Sequence, residues 1–134
     1  MAWFIDTNIF VAALRGKAPQ VKAKFLQYSP RDIFLPHQVL AELRLGAAKS
    51  TRREHNDLQV TLMLRPFGIV WPDLISLAHY VDIRATLELA GACISESDLW
   101  IAAITRAAGG TLVTHNVSEF ARVPGLLIED WLVP

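Results

Sequence analysis

The sequence predicts an α/β fold: a three-layer α/β/α sandwich around a central parallel sheet of four to five strands. Three observations carry this. Short runs of aromatic and branched apolar residues, such as Trp3-Phe4-Ile5, Ile33-Phe34-Leu35 and Leu112-Val113, recur along the chain and have strand character. Between them lie longer stretches in which apolar residues return at helical spacing, as in Val39, Leu43 and Ala47. Gly, Pro and Ser/Asp clusters separate the two patterns. Strands alternating with helices require right-handed crossovers, hence parallel strands between helical layers.

Each element follows in order. Residues 3 to 5 form the first strand, and Thr7 to Leu14 a short helix stopped near Gly16. A helix over about 19 to 28 has Val21, Lys24, Phe25 and Tyr28 at helical spacing. Ser29-Pro30-Arg31-Asp32 is turn chemistry. Ile33 to Leu35 is the second strand, and Pro36 suits the start of a helix running to about Ala48. A more polar helix covers about 51 to 64, Phe67 to Val70 make the third strand, and a helix covers about 73 to 89. After Gly91, Ser95-Glu96-Ser97-Asp98 opens an Ala- and Ile-rich helix ending at Gly109-Gly110. Thr111 to Thr114 is the fourth strand, Val117 to Phe120 one helical turn, and Leu126 to Ile128 the last strand.

Composition bounds the function. A chain of 134 residues, 52% hydrophobic, suits one domain over residues 1–134 with a single core. Thirteen basic against 13 acidic side chains cancel, so no global field announces a nucleic-acid or membrane partner, and such a partner must be met by local patches. Lone Cys93 offers neither an internal disulfide nor a cysteine metal cluster, as expected in a reducing cytoplasm. Asp6 and Asn8 interrupt the N-terminal apolar run, which therefore reads as neither signal peptide nor membrane span. The expectation is a soluble, cytoplasmic protein.

Four acids fall at informative places. Asp6 closes the first strand and precedes Thr7-Asn8, so its carboxylate stands in the crevice where open parallel sheets bind ligands. Aspartate is equally a favoured helix cap, and the two roles can coexist. Glu42 lies at the border of the Val39, Leu43, Ala47 stripe, with Gly46 leaving open space one turn on. An ordinary solvated glutamate explains it too. Asp98 opens Leu99-Trp100-Ile101-Ala102-Ala103-Ile104, a helix apolar enough to be central and buried. Ser95 and Asp98 also have the spacing of a capping box. Thr114, Asn116 and Glu119 sit at another strand's carboxyl end. His115, with no second histidine at ligand spacing, reads as a surface or hydrogen-bonded imidazole.

If strands one, two and four are neighbours, Asp6, Glu42, Asp98 and Glu119 share one sheet edge. Capping explains each acid separately but not their shared edge. Carboxylates so close need compensation, and an all-oxygen set favours Mg2+ or Mn2+ over zinc. Such ions, one or two of them, serve phosphoryl chemistry by activating water and neutralising phosphate charge. Thr7, Asn8, Thr114 and Asn116 are candidates to orient these ligands or hold a phosphate, or to serve only as caps and turns.

Asp6-Thr7-Asn8-Ile9, Glu42-Leu43 with Gly46, Asp98-Leu99-Trp100-Ile101-Ala102-Ala103 and Thr114-His115-Asn116-Val117-Ser118-Glu119-Phe120 resemble the successive motifs of PIN-domain nucleases. The length and the closing Pro124-Gly125-Leu126 and Glu129-Asp130-Trp131 are similar to its VapC-type toxin branch. The resemblance covers almost the whole chain. It implies the three-layer fold, Mg2+- or Mn2+-dependent endoribonuclease activity leaving 5′-phosphate and 3′-hydroxyl ends, homodimerisation and neutralisation by a cognate antitoxin. It also implies Asp6 and Asp98 as principal metal ligands, with Glu42 and a fourth acid beside them. Many relatives carry that acid two residues after a Thr, where this chain has Asn116. The fourth carboxylate is therefore assigned to Glu119. Lys49, Arg52 and Arg53, with Arg44 nearby, and Lys17, Lys22 and Lys24 are candidate RNA guides. Four tryptophans, Trp3, Trp71, Trp100 and Trp131, belong to the core or to an interface. The competing readings are a non-toxin RNA-processing PIN nuclease, a catalytically idle PIN binding module, and a phosphatase using Asp6 as nucleophile. That last chemistry expects a second aspartate where Asn8 stands.

Overall fold

A computed structural model describes residues 1–133, and strands alternate with helices along them. β1 (Trp3–Ile5) leads into α1 (Thr7–Arg15) and α2 (Pro19–Gln27). A 3-10 turn (Pro30–Asp32) precedes β2 (Ile33–Pro36), α3 (His37–Ala48) and α4 (Arg53–Leu64). β3 (Gly68–Val70), α5 (Leu74–Leu89), α6 (Glu96–Ala107), β4 (Thr111–Val113), α7 (Val117–Phe120) and β5 (Leu127–Glu129) follow.

The five strands pair in the order β3-β2-β1-β4-β5, and all neighbours are parallel. This is the expected α/β/α sandwich, with helices flanking the sheet. Trp3, Phe4 and Ile5 of the central strand are all buried, because helices cover both faces of a parallel sheet and leave no polar side. The chain builds β1, β2 and β3 outward on one side, then returns to place β4 against β1 on the other. β1 and β4 thus form the switch point beyond whose carboxyl ends α/β proteins bind ligands.

Element limits depart from the sequence reading by one or two residues. Tyr28 is extended rather than helical (φ −111°, ψ 153°), where its ring lies 4.6 Å from Trp3 and 5.8 Å from Trp131. Thr51 and Arg52 precede α4, Phe67 precedes β3, and the last strand begins at Leu127 instead of Leu126. Thr114 lies just past β4. The tryptophans divide between the two expectations: Trp3 and Trp131 are core, whereas Trp71 is 63% exposed. Among the described residues no helix is long and apolar enough to cross a membrane.

Gly110 lets β4 approach β1. A Cβ there would lie 2.6 Å from the Phe4 ring and 3.1 Å from the Ala2 carbonyl oxygen, and Phe4 is fully packed. Overpacking at such a point destabilises by about 1–3 kcal/mol. Gly110→Ala is therefore expected to lower the thermal midpoint, and an unchanged midpoint in a melting scan would show that Phe4 has room to move.

Candidate active site

Asp6 is the N-cap of α1. Its Oδ1 accepts from the Thr7 backbone N–H at 2.8 Å, and its Oδ2 accepts from the Thr114 hydroxyl at 2.7 Å. Thr114 is fully buried, and its hydroxyl accepts from the Asn116 backbone N–H at 3.0 Å. The ends of β1 and β4 are thereby tied through one carboxylate. Burial raises the Asp6 carboxyl above its usual range, and the Glu42 charge adds to this, against the opposing bonds from Thr114 and Thr7.

Glu42, on α3 beside buried Leu43, is half-buried. Its Oε2 accepts from the Thr7 hydroxyl, and its Oε1 accepts from the Ser97 hydroxyl at 2.6 Å. Sequence reasoning missed Ser97. Its position directly before Asp98 was the available signal: a fold that brings Asp98 towards Glu42 carries Ser97 with it.

Asp98 stands in the first turn of α6, whose residues Leu99 and Ile101 to Thr105 are buried as expected, with Trp100 half-buried. The Ser95 hydroxyl accepts from the Asp98 backbone N–H at 3.2 Å. The expected capping box is only half made. Ser95 caps, but no bond from its own N–H to the Asp98 carboxylate is present among the described residues, and that carboxylate feels the other acids instead. Its pKa is pushed up to about 6, chiefly by burial and then by the charge on Asp6, with Glu119 and Glu42 adding and Ser95 opposing. Glu119, on α7, reaches the cluster through that field rather than through a hydrogen bond.

The structure therefore gathers Asp6, Glu42, Asp98 and Glu119, with Thr7 and Thr114 tied directly into the set. Asn116 joins through its backbone N–H. Asn8 is exposed, one residue further round α1 than Thr7, and its side chain makes no hydrogen bond among the described residues. His115 is held by Asp130, with Nδ1 2.9 Å from Oδ2.

Among the described residues no three acidic, imidazole or thiol groups close around one point as a ready-made cage. Mg2+ does not need one, since it keeps several waters and takes only one or two carboxylates directly. The donor set is all oxygen, and each carboxylate oxygen that accepts one hydrogen bond has a further lone pair. The residues present fit a hydrated divalent ion.

The raised carboxyls have a measurable sign. Asp98 binds its proton more tightly in the folded chain (about 6) than at its ordinary value of 3.8, so folding is favoured below that lower value. The benefit is lost as pH rises through 6. In a chelator, the melting temperature of the wild-type chain relative to Asp98→Asn is expected to fall between pH 5 and pH 7, a difference that cancels the opposite trend from His37, whose pKa burial lowers. A wild-type midpoint that rises relative to that variant over this interval would contradict the buried acidic cluster.

A cleft of about 550 Å³ opens beside Glu42, lined by Thr7, Val11, Gly46, His55 and Gln59 among others. Gly46 leaves the open space expected of it, for a Cβ there would meet nothing within 4 Å. Lys49, Arg52 and Arg53 border the adjoining surface. Arg44 is engaged elsewhere, bonding Asp57 at 3.0 Å and Thr61 at 2.7 Å to join α3 to α4.

Comparison with known proteins agrees with this geometry. The PIN domain family model matches residues 3–126. Ribonuclease VapC2 of Rickettsia felis is 35% identical over 133 residues, covering 98% of both chains. The tRNA(fMet)-specific endonuclease VapC of Shigella flexneri is 30% identical over 131 residues, again 98% of each. In structure, the VapBC2 complex of Rickettsia felis bound to a promoter DNA fragment contains a chain that superposes with a TM-score of 0.92 at 32% identity, with 98% of this chain and 99% of that one covered. With a family match spanning nearly its whole length and an acidic edge at the sheet's switch point, the chain belongs to the PIN-domain family.

Proposed function

We propose that this protein is a divalent-metal-dependent endoribonuclease toxin, neutralised by a cognate antitoxin. The observation that carries the reading is the convergence of Asp6, Glu42, Asp98 and Glu119, where burial first and then the charges of the other three acids raise the Asp98 carboxyl. The names of the relatives support RNA as substrate, and the VapBC assembly supports a protein partner.

In this reading Asp6 and Asp98 are the principal ligands for one or two Mg2+ or Mn2+ ions, and Glu42 and Glu119 complete the acidic pocket. A bound ion there supplies activation of water and neutralisation of phosphate charge. The chain's own residues set the stage. Thr7 and Thr114 aim the Asp6 carboxylate, and Asp98 would hold a cation in its deprotonated form, as carboxylate ligands do. RNA reaches the acids along the cleft beside Gly46. Lys49, Arg52 and Arg53, which form no ion pair among the described residues, offset the acidic edge for its phosphates. Trp71, Leu74, Ile75 and Val81, each between 58% and 84% exposed, leave apolar side chains available for contact with a second copy of the chain.

The test is cleavage of purified RNA by the purified chain. Fragments bearing 5′-phosphates are expected with Mg2+ or Mn2+ and none in excess EDTA. RNA left intact under both conditions would favour a binding module, and cleavage insensitive to chelation would remove the metal from the account.

A further inference from the structure

We propose that Ser97 is a positioning residue which, together with Thr7, fixes both carboxylate oxygens of Glu42 at the acidic edge. The inference rests on the metal-dependent function proposed above. Ser97 and Glu42 are 55 residues apart in sequence, on α6 and α3, yet the serine hydroxyl donates to Oε1 at 2.6 Å. That distance is typical of a hydroxyl bonded to a charged carboxylate, the stronger class of such bonds. The Thr7 hydroxyl, from α1, takes the other oxygen. Three helices thus meet on one carboxylate.

A glutamate side chain has three rotatable bonds and, when solvated, samples many orientations. One hydroxyl on each oxygen fixes the carboxylate plane and leaves the second acceptor site of each oxygen in a defined direction. That free site can accept from a water of a hydrated ion or face the ion itself. Ser97 is not occupied with capping α6, because Ser95 already does that. Its single proton is committed across the helix interface. The same turn of α6 therefore supplies one acid, Asp98, and aligns another, Glu42. Outer contacts of this kind around metal sites typically change affinity or activity by about 10–100-fold when removed.

The experiment measures Mn2+ binding by electron paramagnetic resonance, and RNA cleavage kinetics, in the full chain. Ser97→Ala is expected to weaken Mn2+ binding by about 10–100-fold and to lower kcat with KM for RNA unchanged. Ser97→Thr, which keeps a hydroxyl, is expected to restore both. In a Glu42→Gln background, removal of Ser97 is expected to cause no further loss of Mn2+ affinity. If the alanine variant does not fold, Ser97→Thr against Ser97→Val makes the same comparison, since the two differ by hydroxyl against methyl. Equal Mn2+ affinity within that pair, or fully additive losses with Glu42→Gln, overturns the role of Ser97. Wild-type Mn2+ affinity in Glu42→Gln overturns the metal role of Glu42 itself, a different outcome from the failure of Ser97 alone.

Discussion

Asp98→Asn is expected to abolish RNA cleavage while making the metal-free protein more stable at pH 7. The side chain keeps its shape and loses its charge. Burial, and then the charges of Asp6, Glu119 and Glu42, push the Asp98 carboxyl to about 6, so at neutral pH its ionised form is disfavoured by the fold. Removing the charge relieves the cost of burying it among those acids, which is how acidic sites exchange stability for function. The same change removes a ligand for the cation. Loss of one electrostatic contact at an active site lowers rates by about 10²–10³-fold, and loss of a principal ligand is expected to exceed this, at roughly a thousandfold or more. Melting in EDTA and cleavage in Mg2+ measure the two arms. A variant that is both slower and less stable would point to a structural role for Asp98.

Trp131→Ala is expected to produce the largest loss of stability. Trp131 is 2% exposed and anchors an aromatic cluster, with ring centroids 5.3 Å from Phe25, 5.8 Å from Tyr28 and 6.0 Å from Trp3. Its indole N–H donates to Glu129 at 3.3 Å. It therefore fastens the C-terminal segment after β5 to β1 and α2. Truncating a buried Trp destabilises by about 3–5 kcal/mol, a drop of roughly 10–20 °C in Tm for a chain of this size. A loss below about 1 kcal/mol in urea titration, within the range of ordinary point substitutions, would mean that Phe25, Tyr28 and Trp3 close the cavity themselves.

These two residues also mark what the sequence makes legible. Asp98 stands out because a charge opens an otherwise apolar helix, and Asp6 because it ends a strand buried on both faces. Such interruptions are visible in one dimension. Glu42 is legible as a border position, and the helix stripe and Gly46 place it correctly. Trp131 is not legible as core, since an apolar ring near the end of a chain has no period to test. Ser97 and Arg44 are hidden for a different reason. Their partners, Glu42 and the pair Asp57 and Thr61, are set by packing of α3 against α6 and α4, which no local pattern encodes. The half-made capping box at Ser95 shows the converse. The spacing was right for the cap, while the Asp98 carboxylate, raised chiefly by burial and then by Asp6, Glu119 and Glu42, belongs to the acidic cluster instead. Short strands shift by a residue because backbone pairing, not side-chain pattern, fixes their ends.

Proton release on Mn2+ binding, followed by calorimetry at pH 6 in buffers of different ionisation enthalpy, tests the acidic site most directly. With the Asp98 carboxyl near 6, about half a proton from that group is expected to leave per cation bound by the wild-type chain, with any from the raised Asp6 carboxyl adding to it. In Asp98→Asn the release is expected to drop by that half proton, and most of the affinity is expected to disappear. Mn2+ binding of wild-type strength in Asp98→Asn, with no proton released by either protein, would contradict a metal site built on these four acids.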